Sequence, residues 1–336
     1  GYYPQLKYFV LHPNAVVRAA SLETSTVNIS NGIGTEDRPF LIRTIEDIET
    51  LKTKINFGEK FQGFFFKVAD GRSVFNLGNF SPIGTQAKPF HGSFDGNNVE
   101  FILNINTTGS YIGLFGNYAH GTIKNLSVSG KVVGGSYVGG VVGNKESGNI
   151  INVYNHANIQ GVSYVGGIAG RSASGQINIA YNMGNVTATS NYAGGILGYL
   201  ERGVVSNTYN RGEILSNYYA AGIVGGAHHT NTITNSYSAG LVSANSTAEG
   251  VVVEMDPRYH TRTNLYYDVS ILENYKNPRS QKPSTTVGGQ GLLKTSMTED
   301  GLKNRGYNES IWVFTPVDGI YAYYPQLKVF NTSKSD

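Results

Sequence analysis

The chain has 336 residues, with 43 glycines, 23 tyrosines, 15% charged residues and a formal charge of +3, a composition that is turn-rich and β-prone and neither helical nor disordered. The small charge, with no Lys/Arg cluster, gives no electrostatic footprint for nucleic acid, and no run approaches the roughly 18 apolar residues of a membrane span. The absence of cysteine excludes disulfides, thiolate metal sites and Cys nucleophiles together.

The first residues have neither a basic n-region nor an apolar h-region, so they are not expected to be a signal peptide. Tyr2-Tyr3-Pro4-Gln5-Leu6-Lys7 recurs as Tyr323-Tyr324-Pro325-Gln326-Leu327-Lys328, each with a Phe two residues on (Phe9, Phe330). One copy, residues 1–9, is read as the tail of a preceding unit, which makes the chain a fragment of a longer secreted protein. Residues 10–105 then form an N-terminal cap and entry segment. Within it Thr44 and Asp47 stand at capping-box spacing, Ile45, Ile48, Leu51 and Ile55 make one apolar face, and Gly58 can end the helix. A helix over 44–58 could lid an open strand edge. A less regular stretch, 61–105, leads into the next region.

From 106 to 268 the sequence repeats. Tyr111, Tyr137, Tyr164, Tyr192 and Tyr219 head the runs YIGLFG, YVGGVVG, YVGGIAG, YAGGILG and YAAGIVG at spacings of 26, 27, 28 and 27, a period that marks a stacked architecture. Each period holds two or three short β-type runs broken by Gly, Asn and Ser, too short for helices. A leucine-rich or helical repeat would need a helical run in every period, and none is present. About 27 residues fit one coil of a parallel β-helix, with three strands of roughly five residues, each coil about 4.8 Å above the last. Gly139-Gly140, Gly166-Gly167 and Gly194-Gly195 are expected to supply tight corners and positive φ, and Val141, Ile168, Ile196 and Ile223 an inward apolar ladder. The fold expected is all-β, a right-handed parallel β-helix (solenoid) with short capping helices, the hand following that of parallel crossovers. Residues 269–336 close the chain as a C-terminal loop and cap segment, with a Pro-, Ser-, Lys- and Gly-rich loop over 277–289 and a second helix starting at Ser296.

A second column, Tyr154, Tyr181, Tyr209, Tyr237 and Tyr266, runs at spacings of 27, 28, 28 and 29. The residues before its first four members, Val153, Ala180, Thr208 and Ser236, are mostly small, as an inward corner needs, so by alternation the tyrosines point outward. Asn155, Asn182 and Asn210 follow, with Ser238 in the fourth coil, which predicts a strip of phenol rings with a parallel row of amides. Such a strip can simply hold the coils together by ring stacking and amide ladders. The same geometry lets flat rings pack on the C–H faces of sugars while amides bond their hydroxyls. On that second reading the ligand-binding residues are Tyr154, Tyr181, Tyr209, Tyr237, Asn155, Asn182, Asn210, Tyr218 and Tyr266, with Tyr199, Tyr259 and Tyr267 in further exposed patches. The column starting at Tyr111, which adjoins the Gly-Gly corners, reads as structural.

Catalysis finds little support in the residues. Glycoside hydrolysis needs two carboxylates facing one groove, yet no Asp occurs between Asp95 and Asp256, and Glu146, Glu201, Glu213 and Glu249 are not expected to come into register. Glu254, Asp256, Arg258 and His260 are the one concentrated set. His228-His229 reads as a solvated turn, because neighbours on a strand face opposite ways. Gly134-Gly135 lacks a P-loop lysine. No metal or cofactor is expected.

The YVGGIAG-type runs resemble GLUG motifs, found in large secreted bacterial surface proteins, including non-catalytic parts of some immunoglobulin-cleaving proteases. The stretches GTEDRPFLI (34–42) and SPIGTQAKPFHGSFDGNN (81–98), and the closing Trp312, Phe314 and YPQLK (324–328), resemble that family's flanks, so the resemblance covers nearly the whole chain. It implies an adhesin or stalk more than an enzyme. Size, aromatic content and lack of cysteine are also similar to those of the cellulose-binding tāpirins, without a shared motif. The function expected is a non-catalytic adhesin domain, extracellular and secreted or attached to the bacterial surface. Its partner would be an insoluble polysaccharide, cellulose or another plant cell-wall glycan, or a host or matrix surface. The alternatives are a rigid spacer of a larger surface protein, and a polysaccharide lyase or hydrolase. Adhesion predicts that Tyr154, Tyr181, Tyr209 and Tyr237 expose a planar face, whereas a spacer predicts that neighbouring loops cover them.

Overall fold

A computed structural model describes residues 32–256, 260–269 and 289–292, with the short pieces 302–303, 305–308, 310–313 and 326–327. The tail over 1–9, Arg258, Tyr259, most of the loop expected over 277–289 and the helix expected at Ser296 lie outside these residues.

The expected lid is helix α1 (Ile45–Phe57). Thr44 Oγ1 accepts from the Asp47 amide at 3.2 Å, and the Asp47 carboxylate accepts from the Thr44 amide at 3.2 Å, which closes a capping box. Gly58, at φ 119°, turns its amide back onto the carbonyls of Lys54 and Ile55 and ends the helix. Ile48, Leu51 and Ile55 are fully buried, but Ile45, expected on the same face, is exposed. The stem of Lys54 joins the buried stripe instead, with its Nζ reaching Glu59 at 3.1 Å.

Parallel pairing begins before the repeat does. Phe40–Ile42 pairs with Phe65–Val68, that strand with Ser93–Asn106, and that in turn with Thr122–Val133. From there coil lies on coil, making an all-β parallel solenoid of about nine turns consistent with the right-handed β-helix. One coil contains Asn149–Asn155, Asn158–Gly161, Ser163–Gly166 and Ala169–Ser172. Four strands therefore replace the three expected, because the first two belong to one sheet and are a single strand, Thr122–Val133, in the coil before, while the expected corner falls inside the YVGGIAG run. A Cβ on Gly166 would lie 2.0 Å from the Ala169 carbonyl oxygen, and one on Gly167 2.2 Å from that of Gly195, so this corner closes only around glycine. The glycine pairs are needed for close approach and not, as expected, for positive φ. The left-handed residue of the corner is the tyrosine before them, at φ 65°, 60°, 59° and 61° in Tyr111, Tyr137, Tyr164 and Tyr192.

Inside the coils, Val141, Ile168, Ile196 and Ile223 stack as expected, all fully buried. A second row, Val142, Ala169, Leu197, Val224 and Val252, stands in strand register beside it. Each fully buried aliphatic of this kind contributes about 1.5–3 kcal/mol, and the registered stacking keeps each row continuous from coil to coil.

Candidate functional site

The Tyr154 column forms in register from Tyr154 through Tyr181, Tyr209 and Tyr237 to Tyr266. Its first four rings stack at 4.8, 4.9 and 5.3 Å with planes within 9° of parallel. They point outward, with Val153, Ala180, Thr208 and Ser236 fully buried behind them. The strip is nevertheless not exposed, contrary to expectation: Tyr181, Tyr209, Tyr237 and Tyr266 are 8%, 4%, 0% and 7% accessible. Residues from the C-terminal segment lie across the ring edges. Trp312 is 6.1 Å from Tyr209 and 5.8 Å from Tyr237, and Tyr307 is 5.9 Å from Tyr266 and 4.9 Å from Trp312. Leu292, Leu302 and Leu327 complete this outer core. Tyr154, at the far end, stays half-buried beside His156. Burial pushes the phenol pKa values of Tyr181, Tyr209 and Tyr237 up.

The amide row lies on the other side of the wall. Asn155, Asn182 and Asn210 are fully buried inside the coils, because the alternation that turns each tyrosine out turns the next residue in. Asn155 Nδ2 donates to Asn182 Oδ1 at 2.7 Å, Asn182 Nδ2 to Asn210 Oδ1 at 2.8 Å, and Asn210 Nδ2 to Ser238 Oγ at 3.3 Å. Each Nδ2 also donates to the carbonyl two residues on, of Ala157, Gly184 and Gly212. Closed in this way, the amides cannot reach a polymer outside.

The aromatic surface that does meet solvent is the other column. Tyr111, Tyr137, Tyr164, Tyr192 and Tyr219 stack at 4.9, 4.9, 5.3 and 5.1 Å, and all five are half-buried. Tyr199 stands beside them, 82° to Tyr164 at 5.5 Å and 59° to Tyr192 at 5.0 Å. Tyr218, expected to be exposed, is 47% accessible and lies 6.4 Å from Tyr219. Gly226 leaves room for two of these rings, since a Cβ there would meet Tyr192 at 2.7 Å and Tyr199 at 2.9 Å. Burial raises the phenol pKa values of Tyr111, Tyr164 and Tyr192 and, with help from neighbouring phenols, pushes Tyr199 up to about 12.

A polar chain that sequence reasoning misses accompanies this column. Asn117 Nδ2 donates to Glu146 Oε1 at 2.9 Å, Asn144 Nδ2 to Asn117 Oδ1 at 2.8 Å, and Arg171 Nη1 to Asn144 Oδ1 at 2.9 Å, while Arg171 Nη2 pairs with Glu201 Oε1 at 2.5 Å. Glu146 and Glu201, expected out of register, in fact share one row two coils apart. Each follows the last strand of its coil, Val142–Lys145 and Leu197–Leu200. The missed signal is a count: both stand nine residues after a column tyrosine, and Asn144, Arg171 and Tyr199 stand seven after one.

Elsewhere, Tyr267 is buried over Gly250 and not part of an exposed patch. Glu254 is held by Arg262 at 2.5 and 2.9 Å and by His260 Nδ1 at 2.5 Å, with all three side chains 10% exposed or less. His228 and His229 pack ring against ring at 4.0 Å past the strand Val224–Ala227. Among the described residues no group of three His, Asp or Glu side chains could hold a metal ion, and no helix is long and apolar enough to cross a membrane.

No protein-family model matches the chain. Over 131 residues it is 30% identical to a "Putative Gly-rich membrane protein" of Evansella cellulosilytica, a match covering 37% of this chain and 14% of that protein. Among solved structures the chain is similar to a putative immunoglobulin A1 protease from Bacteroides ovatus, with a TM-score of 0.66 over 88% of this chain and 94% of that one, at 19% identity. At that identity the likeness is one of fold, a β-solenoid. Neither relative is described as a GLUG protein or a tāpirin.

Proposed function

We propose that the chain is a rigid, non-catalytic rod segment of a larger cell-surface or secreted protein. The observation that carries this reading is the sealed Tyr154 column, whose stacked rings join coil to coil and are closed over by Trp312 and Tyr307. A spacer predicts that arrangement, and an adhesive strip on the same residues would be blocked by it. The described carboxylates that could be suspected of chemistry are already engaged, Glu146 by Asn117, Glu201 by Arg171 and Glu254 by Arg262. A match covering 14% of a relative described as a membrane protein accords with a segment of a long surface protein.

Two measurements test the reading. Small-angle scattering of the chain is expected to give a compact, rigid particle somewhat longer along the coil axis than across it, and the profile of a flexible, expanded chain would overturn the reading. Incubation with xylan, polygalacturonate, carboxymethylcellulose and mucin is expected to release no reducing ends. Release from any of them would replace the rod with an enzyme.

A further inference from the structure

We propose that the exposed end of the Tyr111 column, Tyr164, Tyr192 and Tyr219, with Tyr199, Tyr218 and Arg171 beside it, binds a neutral, extended, β-linked glycan lying along the solenoid axis, one sugar to each coil. This goes beyond the rod reading and does not depend on it.

Two bends of the solenoid require a left-handed residue. At one of them the chain uses asparagine, the residue type that tolerates this conformation, in Asn125, Asn152, Asn207, Asn235 and Asn264, with Ile179 the one departure among the described coils. At the other it keeps tyrosine in four coils running, at φ 59° to 65°, although tyrosine is poorly suited to it. Tyrosine is therefore there for its ring. Stacking between coils accounts for the column itself, but not for Tyr199 and Tyr218, which stand off it at 59° to 82° and 38° to their neighbours. Their faces are not taken by coil-to-coil stacking among the described residues, so they can take the C–H face of a sugar.

The stacked rings offer edges in steps of 4.9 to 5.3 Å, with phenol oxygens beside them, of which that of Tyr192 also donates to Met255 Sδ at 3.9 Å. An extended chain of β-1,4-linked pyranoses advances by nearly the same distance per sugar, with successive sugars turned over in its flat, two-fold form, so one sugar would face each coil and equivalent hydroxyls would meet equivalent phenols at every second coil. The charge of the strip selects among such chains. Arg171 is neutralised by Glu201, and Glu146 stands in the same row, which leaves no positive excess to attract an acidic polymer.

The test is calorimetric titration of the whole chain with cellohexaose, xylohexaose, chitohexaose and hexagalacturonate. At least one neutral hexaose is expected to bind, more tightly than its trimer, and hexagalacturonate to bind more weakly. The Tyr199→Ala/Tyr218→Ala variant is expected to lose about tenfold in affinity with an unchanged melting temperature, the corresponding Phe pair to keep most of it, and Tyr154→Ala to bind as the parent does. Absence of binding to every neutral hexaose, affinity unchanged in the double Ala variant, or a preference for hexagalacturonate would each overturn the proposal. None of these outcomes alters the scattering profile on which the rod reading stands or falls.

Discussion

Asn152 and Ile179 occupy the same left-handed bend in successive coils, both at φ 56°, and the outer amide ladder of that bend stops between them. On one side Asn125 Nδ2 donates to Asp95 Oδ1 at 2.9 Å and Asn152 Nδ2 to Asn125 Oδ1 at 2.7 Å. On the other side Asn264 Nδ2 donates to Asn235 Oδ1 at 2.8 Å. The buried Asn152 Oδ1, facing the isoleucine, has no hydrogen-bond partner among the described residues.

A β-branched residue in this conformation costs about 1–2 kcal/mol, and an unmet buried acceptor about 1–3 kcal/mol. Ile179→Asn is expected to relieve both, at the expense of a half-buried isoleucine that packs on the outer core. The net expectation is a gain of about 1–2 kcal/mol, read as a melting temperature several degrees higher by calorimetry. A lower melting temperature would mean that Ile179 is retained for its packing against the C-terminal segment.

The inner amide ladder is expected to be far less tolerant. Asn182→Ala removes the acceptor used by Asn155 and the donor to Asn210 Oδ1 and the Gly184 carbonyl, all inside the coils. At about 1–3 kcal/mol for each buried group left unpaired, chemical denaturation should show a loss of about 2–5 kcal/mol. Asn182→Ser should cost less, since Ser238 already ends the ladder with a hydroxyl. Equal losses in the two variants would mean that packing and not hydrogen bonding sets the requirement.

The parts of this fold that are legible in the sequence are the local and the repeated. The tyrosine spacing states the length of a coil, Thr44 and Asp47 state where α1 begins, and Ile168 and Ile196 mark the inner row by position alone. The direction of the Tyr154 rings follows from alternation, and the same alternation buries Asn155 behind them, against the expectation that the amides bind a ligand beside the rings. What no period can state is which outward row stays open. Trp312 reaches Tyr209 and Tyr237 from far down the chain, out of a segment that does not repeat, and that contact turns an apparent binding strip into a second core. Likewise, the left-handed corner falls on Tyr164 and not on Gly166 because space, which a string of residues does not display, is tighter at the glycine.

Trp312 is the one tryptophan of the chain, so its fluorescence reports this closure directly. At 1% accessibility among Tyr209, Tyr237 and Tyr307, its emission should be blue-shifted and shielded from acrylamide in the native protein. Trp312→Ala, at about 3–5 kcal/mol for a buried aromatic, should free the C-terminal segment and uncover Tyr209 and Tyr237. Hydrogen exchange would then quicken in 305–308, 310–313 and 326–327 while the inner strands stay protected. A solvent-like emission from the native chain would show that the column is open and return it to the candidates for adhesion.

Lys145 and the tyrosines set opposite limits on stability as pH changes. Lys145 is fully buried, in a row with Tyr118, Ser172 and Leu200; its Nζ donates to the carbonyl of Gly148 at 3.0 Å and to that of Ser174. Burial pushes its pKa down to about 7 from 10.5. Between those values the unfolded chain holds a proton on this lysine that the native chain lacks, so stability should rise with pH across that window and be lost again as pH falls through 7. Above pH 10 the unfolded tyrosines ionise while burial keeps Tyr209 and Tyr237 neutral, so the unfolded chain then holds fewer protons and stability should fall. Melting temperature is therefore expected to be highest near pH 9–10. Lys145→Met should raise it by several degrees at pH 6–7, where the native protein otherwise carries a buried charge, flatten the rise between 7 and 10, and leave the alkaline fall in place. A profile that keeps its slope between pH 7 and 10 in the variant would clear Lys145 and assign that slope to another group.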